Sequence, residues 1–151
     1  MNINSAIIQG IKVLKDNFIK NPHLDSEILM TQVIDKDREY ILLNSKKDLD
    51  KEDLNTFQKL IKKRSTGKPI AYLTNKKFFW NSEFTLSDDI LIPRPDTELL
   101  IEKVLDLTAY KKKLNILEIG VGSGCILLSI LKEKKGFYGT GIDISKSCLN
   151  I

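Results

Sequence analysis

The sequence predicts an α/β protein with a small N-terminal helical bundle, a β-hairpin linker and the first half of a Rossmann-like domain. Three observations support this fold class. Apolar residues recur at helical spacing through about the first 65 residues, an aromatic hairpin pattern follows, and a strand, a glycine-rich turn, a helix and a strand come last. We place the helical domain at residues 1–67, the linker at 68–93 and the partial Rossmann-like domain at 94–151.

The first two helices are predicted from apolar residues that recur on one face. The first helix is expected over residues 3–18, with Phe18 as its last apolar residue. Asn21-Pro22 interrupts the pattern because proline has no backbone N–H for a helix interior. A second helix is expected after this break, with its apolar face between residues 24 and 33.

The last two helices of the bundle are predicted from short-range signals. A short helix is expected around residues 40–43, which are apolar or aromatic. Asp50 is expected to cap a fourth helix, with Asp53 three residues further on. Gly67 is expected to end this helix, because glycine tolerates the left-handed backbone of a C-terminal cap.

The linker is predicted to contain a β-hairpin. Residues 78–86 have the pattern of two short strands around a tight turn at Asn81-Ser82. Pro93-Arg94-Pro95 then excludes both a helix interior and a central strand. Asp96 or Thr97 is expected to cap the helix that follows.

A strand–turn–helix–strand unit is predicted from residue 114 onward. Residues 114–119 are mostly apolar, as expected of a buried parallel strand, and residues 137–142 form the second strand. Between them, Gly120, Gly122 and Gly124 begin the helix. Glycines there allow a sharp turn and let a ligand approach the backbone at the carboxyl end of the first strand.

The spacing of these glycines distinguishes between nucleotide ligands. A dinucleotide-binding turn has glycines at the first, third and sixth positions, but the sixth position here is Cys125. Glycines at the first, third and fifth positions are typical of class I methyltransferases, where the amino acid end of S-adenosylmethionine lies against the loop. Asp143 ends the second strand, where a carboxylate can accept hydrogen bonds from ribose hydroxyls. The predicted cofactor-binding residues are Gly120, Val121, Gly122, Ser123, Gly124 and Asp143; the alternative is a strand-to-helix turn without a ligand.

Two further residues near the loop have more than one interpretation. Glu118 could be a strand carboxylate paired with a backbone donor, or part of the cofactor shell that orients an amino group. Cys125 is expected to be a small residue that packs the helix against its neighbours. A nucleophilic role would require a histidine partner, and His23 is the one histidine of the chain.

Composition excludes several classes of protein. The apolar runs are too short to span a bilayer, no signal peptide is evident, and two cysteines cannot form a disulfide framework. The formal charge is +4, divided as +3 over residues 1–75 and +1 over residues 76–151, so neither half is strongly basic. We therefore expect a cytoplasmic protein with no membrane contact, no direct nucleic-acid contact and no metal site.

The segment Ile92-Pro93-Arg94-Pro95-Asp96-Thr97-Glu98 resembles the signature of HemK-type release-factor glutamine methyltransferases. The resemblance extends to residues 24–29, which look like the family's second helix, and to residues 67–73, which look like its linker. It therefore covers nearly the whole chain. Arg94, Pro95, Asp96 and Thr97 would then line the cofactor or substrate entrance; the alternative is that they fix the linker and cap a helix.

The resemblance implies methylation, with S-adenosylmethionine, of the glutamine amide in the Gly-Gly-Gln loop of peptide chain release factors. It also implies a helical domain that helps to grip the release factor. In the family an Asn-Pro-Pro-Tyr loop orients the amide, so that catalysis depends mainly on orientation and electrostatics. This sequence contains no such tetrapeptide, so no catalytic residue is assigned. We expect an incomplete form that is inactive alone and exposes an unpaired sheet edge.

Two other functions stay open on the sequence alone. One is a nucleic-acid adenine or guanine methyltransferase, which shares the cofactor loop; the proline–arginine–proline segment and the near-neutral halves argue against it. The other is a non-catalytic module that binds a release factor without turnover, which the absent tetrapeptide favours.

Overall fold

The computed structural model of the chain describes residues 1–150 and divides into two units, Met1–Thr74 and Asn75–Ile151. The division falls inside the segment 68–93 that the sequence predicts to be a linker. The functions predicted for residues 1–67, 68–93 and 94–151, which are substrate recognition, linkage and cofactor binding, remain predictions. Within residues 1–150, every helix is too short or too polar to cross a bilayer.

The first unit consists of five helices. Four were expected from the sequence, and the fifth is one short turn of helix within the segment predicted to be the linker. Its residues follow Pro69, whose carbonyl accepts hydrogen bonds from the N–H groups of Tyr72 and Leu73. The five helices are α1 (Ile3–Asp16), α2 (Pro22–Ile34), α3 (Arg38–Leu43), α4 (Lys51–Ser65) and α5 (Ile70–Thr74).

Side-chain caps fix where α1, α3 and α4 begin. The Asp50 carboxylate accepts a hydrogen bond from the Asp53 N–H at 2.7 Å, which confirms the predicted start of α4. Gly67, with φ +91°, follows the end of α4 as expected. The predicted extent of α1 is wrong at its C-terminal end. Phe18 lies beyond the helix with φ +57° and is 96% exposed, so its aromatic ring does not join the apolar face.

The core of the first unit lies between α1, α2 and α4. Leu14, Leu29 and Met30 are fully buried there, and Phe57 is 2% exposed. An ion pair with a buried carboxylate also joins two of these helices. Arg64 Nε donates to Asp25 Oδ2 at 2.7 Å, which connects the end of α4 to α2.

The second unit begins with an antiparallel hairpin of β1 (Lys76–Phe79) and β2 (Ser82–Thr85). The predicted turn is displaced by one residue, because Trp80 and Asn81 form it rather than Asn81 and Ser82. Trp80 adopts φ +52°, a left-handed conformation that a two-residue hairpin turn requires. The Trp80 N–H donates to Glu98 Oε1 at 2.8 Å, and its indole N–H donates to Glu133 Oε1 at 2.8 Å.

The remainder of the second unit contains α6 (Glu98–Leu107), β3 (Leu114–Ile119), α7 (Cys125–Glu133), β4 (Phe137–Ile142) and α8 (Lys146–Leu149). The strands β3 and β4 pair in parallel, as predicted. Thr97 occupies the predicted cap position of α6, but without the expected side-chain hydrogen bond. Residues 95–97 form a 3-10 turn that continues directly into α6, and Thr97 at the helix boundary makes no side-chain cap hydrogen bond.

One face of the parallel pair is covered and the other is not. A side chain at Gly139 would meet Leu127 and Leu131, so α7 packs on this face. On the opposite face, Leu117 is 61% exposed and Ile119 is 78% exposed. The expectation of a strand buried on both faces is therefore wrong for β3, because within residues 1–150 only one face has a helix against it.

Candidate functional site

The loop between β3 and α7 has the backbone that its glycines predict. Gly120, Gly122 and Gly124 have φ values of +79°, +54° and +74°, a region that side chains rarely tolerate. A Cβ atom at Gly120 or at Gly122 would meet no atom within 4 Å. Their backbone therefore faces open space, and a ligand could approach it closely.

Hydrogen bonds to the end of β4 hold the start of this loop. The N–H groups of Gly120 and Val121 both donate to the carbonyl of Ile142, at 2.8 and 3.0 Å. Gly124 donates to the carbonyl of Val121 at 2.8 Å, which closes the turn before α7. The carboxyl ends of the two parallel strands are thus joined through the loop, the position where α/β folds bind ligands.

Asp143 continues this connection through its side chain. Its Oδ2 accepts a hydrogen bond from the Gly122 N–H at 2.8 Å, and its Oδ1 accepts one from the Ser145 N–H at 2.9 Å. The Ser145 and Gly122 donors lower the pKa of Asp143 below its ordinary value. The carboxylate stays ionised and holds the loop, while the remaining lone pairs of its two oxygens can accept further donors.

Glu118 lies on the face of β3 that α7 covers. Its Oε2 accepts a hydrogen bond from the Leu127 N–H at 3.0 Å, in the first turn of α7. Burial raises the pKa of Glu118, and the Leu127 hydrogen bond opposes that increase. Of the two interpretations left open by the sequence, the pairing with a backbone donor is observed; a role in the cofactor shell stays a prediction.

Gly141 is a residue of the site that was not predicted from the sequence. It pairs with Glu118 in the parallel register, and a Cβ atom there would lie 2.7 Å from Cγ2 of Val121. The valine side chain therefore packs directly on the backbone of β4 and fixes the first half of the loop. A glycine inside an otherwise regular strand is a signal of such a close approach.

The segment from Arg94 to Thr97 forms a separate feature. The Thr97 N–H donates to the Arg94 carbonyl at 3.0 Å, which closes the 3-10 turn before α6. No hydrogen bond within residues 1–150 joins Arg94, Pro95, Asp96 or Thr97 to the glycine loop. The entrance role of these residues therefore remains a prediction.

Cys125 begins α7 and is 9% exposed. Desolvation raises the pKa of its thiol, and a hydrogen bond with Ser123 opposes this. A thiol that stays protonated is a poor nucleophile, which agrees with the expected packing role.

Comparison with known proteins adds independent information. Residues 5–74 match the PrmC N-terminal domain family. The whole chain is 40% identical to a release factor glutamine methyltransferase of Buchnera aphidicola subsp. Schizaphis graminum, of which it covers 54%. It is 38% identical over 99% of its length to the protein of that name from Leptospira interrogans, of which it covers 53%. The chain thus spans about half the length of these curated relatives.

Proposed function

We propose that the chain serves S-adenosylmethionine-dependent methylation of peptide chain release factors, because residues 5–74 match the PrmC N-terminal domain family and the whole chain is similar to release factor glutamine methyltransferases. The methylated residue would be the glutamine in the Gly-Gly-Gln loop of the release factor. The observation that carries this proposal is the hydrogen bond of Asp143 to Gly122, which joins a strand-end carboxylate to the open glycine loop.

The loop fits the proposed cofactor. A Cβ atom at Gly120 or Gly122 would occupy open space beside the backbone, so the glycines leave room for the amino acid end of the ligand. Both oxygens of Asp143 already accept hydrogen bonds from backbone N–H groups, but their remaining lone pairs can still accept from ribose hydroxyls. When bound, S-adenosylmethionine supplies the methyl group on its sulfonium.

We assign Gly120, Val121, Gly122, Ser123 and Gly124 to binding of the amino acid end, and Asp143 to binding of the ribose. The chain contains no Asn-Pro-Pro-Tyr, so none of its residues is assigned to methyl transfer. The helical unit, which contains the family match, is assigned to recognition of the release factor. Arg94 to Thr97 are assigned to the entrance of the site on the resemblance of their sequence alone.

Calorimetric titration of the chain with S-adenosylmethionine tests the cofactor assignment. We expect saturable binding by the parent chain and loss of binding in Gly120→Arg, because the arginine fills the space beside the loop. Gly67→Arg is the matched control. Gly67 also has a positive φ and open space around it, but it lies in the helical unit. Equal binding by Gly120→Arg and Gly67→Arg would contradict the placement of the site.

A second titration tests the substrate class. We expect the chain to bind a purified release factor and to bind tRNA or duplex DNA at least about tenfold more weakly at physiological salt. Tighter binding of the nucleic acids would favour the nucleic-acid methyltransferase. Binding of the release factor without binding of S-adenosylmethionine would favour the non-catalytic module.

A further inference from the structure

The donors of the glycine loop are largely used inside the protein. A helix N-terminus beside a glycine loop normally offers free N–H groups to a phosphate. Here five such N–H groups already have acceptors within the second unit: Gly120 and Val121 on the Ile142 carbonyl, Gly122 on Asp143, Gly124 on the Val121 carbonyl and Leu127 on Glu118. Few donors remain for a pyrophosphate, which needs several.

The charges around the loop are negative. Two of the four acceptors are carboxylates, and no lysine or arginine occurs between Lys113 and Lys132. Lys146, the first residue of α8, follows Asp143 in the chain, but no ion pair joins the two within residues 1–150. An anionic ligand would thus be repelled, whereas a cationic ligand would be attracted.

We infer that Glu118 is a specificity-determining residue of this site, which favours an adenosine ligand with a sulfonium cation over one with phosphates. Its carboxylate accepts from the Leu127 N–H that a phosphate would otherwise use, and it places a negative charge at the first turn of α7. Asp143 contributes to the same field, but its oxygens are also needed for the ribose. Glu118 acts as a positioning residue, since it influences the ligand through the loop and the start of α7 and does not contact it. The inference rests on the proposed function.

The same charge separates the cofactor from its demethylated product. S-adenosylmethionine carries a sulfonium charge that S-adenosylhomocysteine lacks. A carboxylate at the first turn of α7 therefore stabilises the bound cofactor more than the bound product. Replacement of Glu118 by a neutral residue is expected to weaken cofactor binding more than product binding.

The test is calorimetric titration of parent chain, Glu118→Gln and Glu102→Gln with three ligands: S-adenosylmethionine, S-adenosylhomocysteine and ADP. Glutamine keeps an oxygen that can accept from the Leu127 N–H, so the start of α7 is preserved while the charge is removed. We expect the preference for S-adenosylmethionine over ADP to be about tenfold lower in Glu118→Gln than in the parent chain. Glu102, an exposed carboxylate of α6, should change this preference less than about twofold.

A measurement on the parent chain keeps the inference testable if Glu118→Gln does not fold. The preference for S-adenosylmethionine over ADP should fall when NaCl is raised from about 0.02 M to about 0.5 M, since salt screens the carboxylates. An unchanged preference in folded Glu118→Gln, or one independent of salt in the parent, overturns the inference and leaves the proposed function intact. No binding of S-adenosylmethionine by the parent overturns the proposed function itself.

Discussion

The Asp143 carboxylate accepts a hydrogen bond from the Gly122 N–H at 2.8 Å, so the side chain that ends β4 holds the loop that follows β3. The two residues are 21 positions apart in the chain. Parallel pairing brings them together, because the carboxyl ends of β3 and β4 meet at the same edge of the sheet. The loop is therefore held in place by the residue proposed to bind the ribose.

Replacement of Asp143 by asparagine should make the stability of the second unit less dependent on acid pH. Since its Ser145 and Gly122 hydrogen bonds lower its pKa, Asp143 contributes stability above its ordinary value of 3.8, and this contribution is lost as pH falls below it. The difference in melting temperature between parent and Asp143→Asn should thus shrink from pH 7 to about pH 3. Asp89→Asn, at an exposed turn, is the control and should show no such trend. A constant difference for Asp143→Asn would contradict the hydrogen-bonding role.

Glu118 should show the opposite pH dependence. Burial raises its pKa, so the folded state of the parent is favoured below the ordinary value of 4.5 and loses this advantage as pH rises through the shifted pKa. The melting temperature of Glu118→Gln relative to the parent should therefore increase from about pH 4 to about pH 8. Glu118→Ala, which leaves the Leu127 N–H without its acceptor, should lose about 1 kcal/mol at pH 4. Parallel pH profiles for parent and Glu118→Gln would argue against burial of the carboxylate.

Local signals in the sequence were sufficient to predict most of the helices and strands. The Asp50 cap depends on a residue three positions away, and the glycines at 120, 122 and 124 carry their own conformational requirement, so both predictions are confirmed. The resemblance to release factor glutamine methyltransferases is confirmed by relatives that align along the whole chain.

The contacts that build the site depend on residues distant in sequence. Asp143 was predicted at the correct strand end, but its bond to Gly122 follows from the parallel register and not from spacing. The packing of Val121 on Gly141 was missed for the same reason. Phe18 was assigned to α1 because periodicity alone does not show where a helix ends.

Gly10 should not tolerate a side chain, although it lies in the middle of α1. A Cβ atom there would be 2.7 Å from Ser26 Oγ and 2.9 Å from Ile61 Cδ1, so α1 approaches α2 and α4 closely at this residue. Alanine normally stabilises a helix interior by up to about 1 kcal/mol relative to glycine. Here we expect Gly10→Ala to destabilise the helical unit by about 1–2 kcal/mol, because overpacking exceeds that gain.

Urea unfolding followed by circular dichroism measures this effect. Gln9→Ala is the matched control, since Gln9 is the exposed neighbour of Gly10 on the same helix. It should change the free energy of unfolding by less than about 0.5 kcal/mol. Stabilisation by Gly10→Ala would show that the helices can move apart without cost.

The ion pair between Arg64 and Asp25 should contribute far more to stability than its exposed counterpart between Arg38 and Glu27. Both pairs have a short Nε–carboxylate contact, of 2.7 Å and 2.6 Å. The side chains of Arg64 and Asp25 are 17% and 8% exposed, whereas those of Arg38 and Glu27 are 61% and 21% exposed. Arg64→Met leaves a buried carboxylate without its cation and should cost about 3 kcal/mol in urea unfolding. Arg38→Met should cost less than about 1 kcal/mol, because solvent screens that pair. Since the two variants make the same substitution, equal losses would mean that water solvates Asp25 once Arg64 is removed.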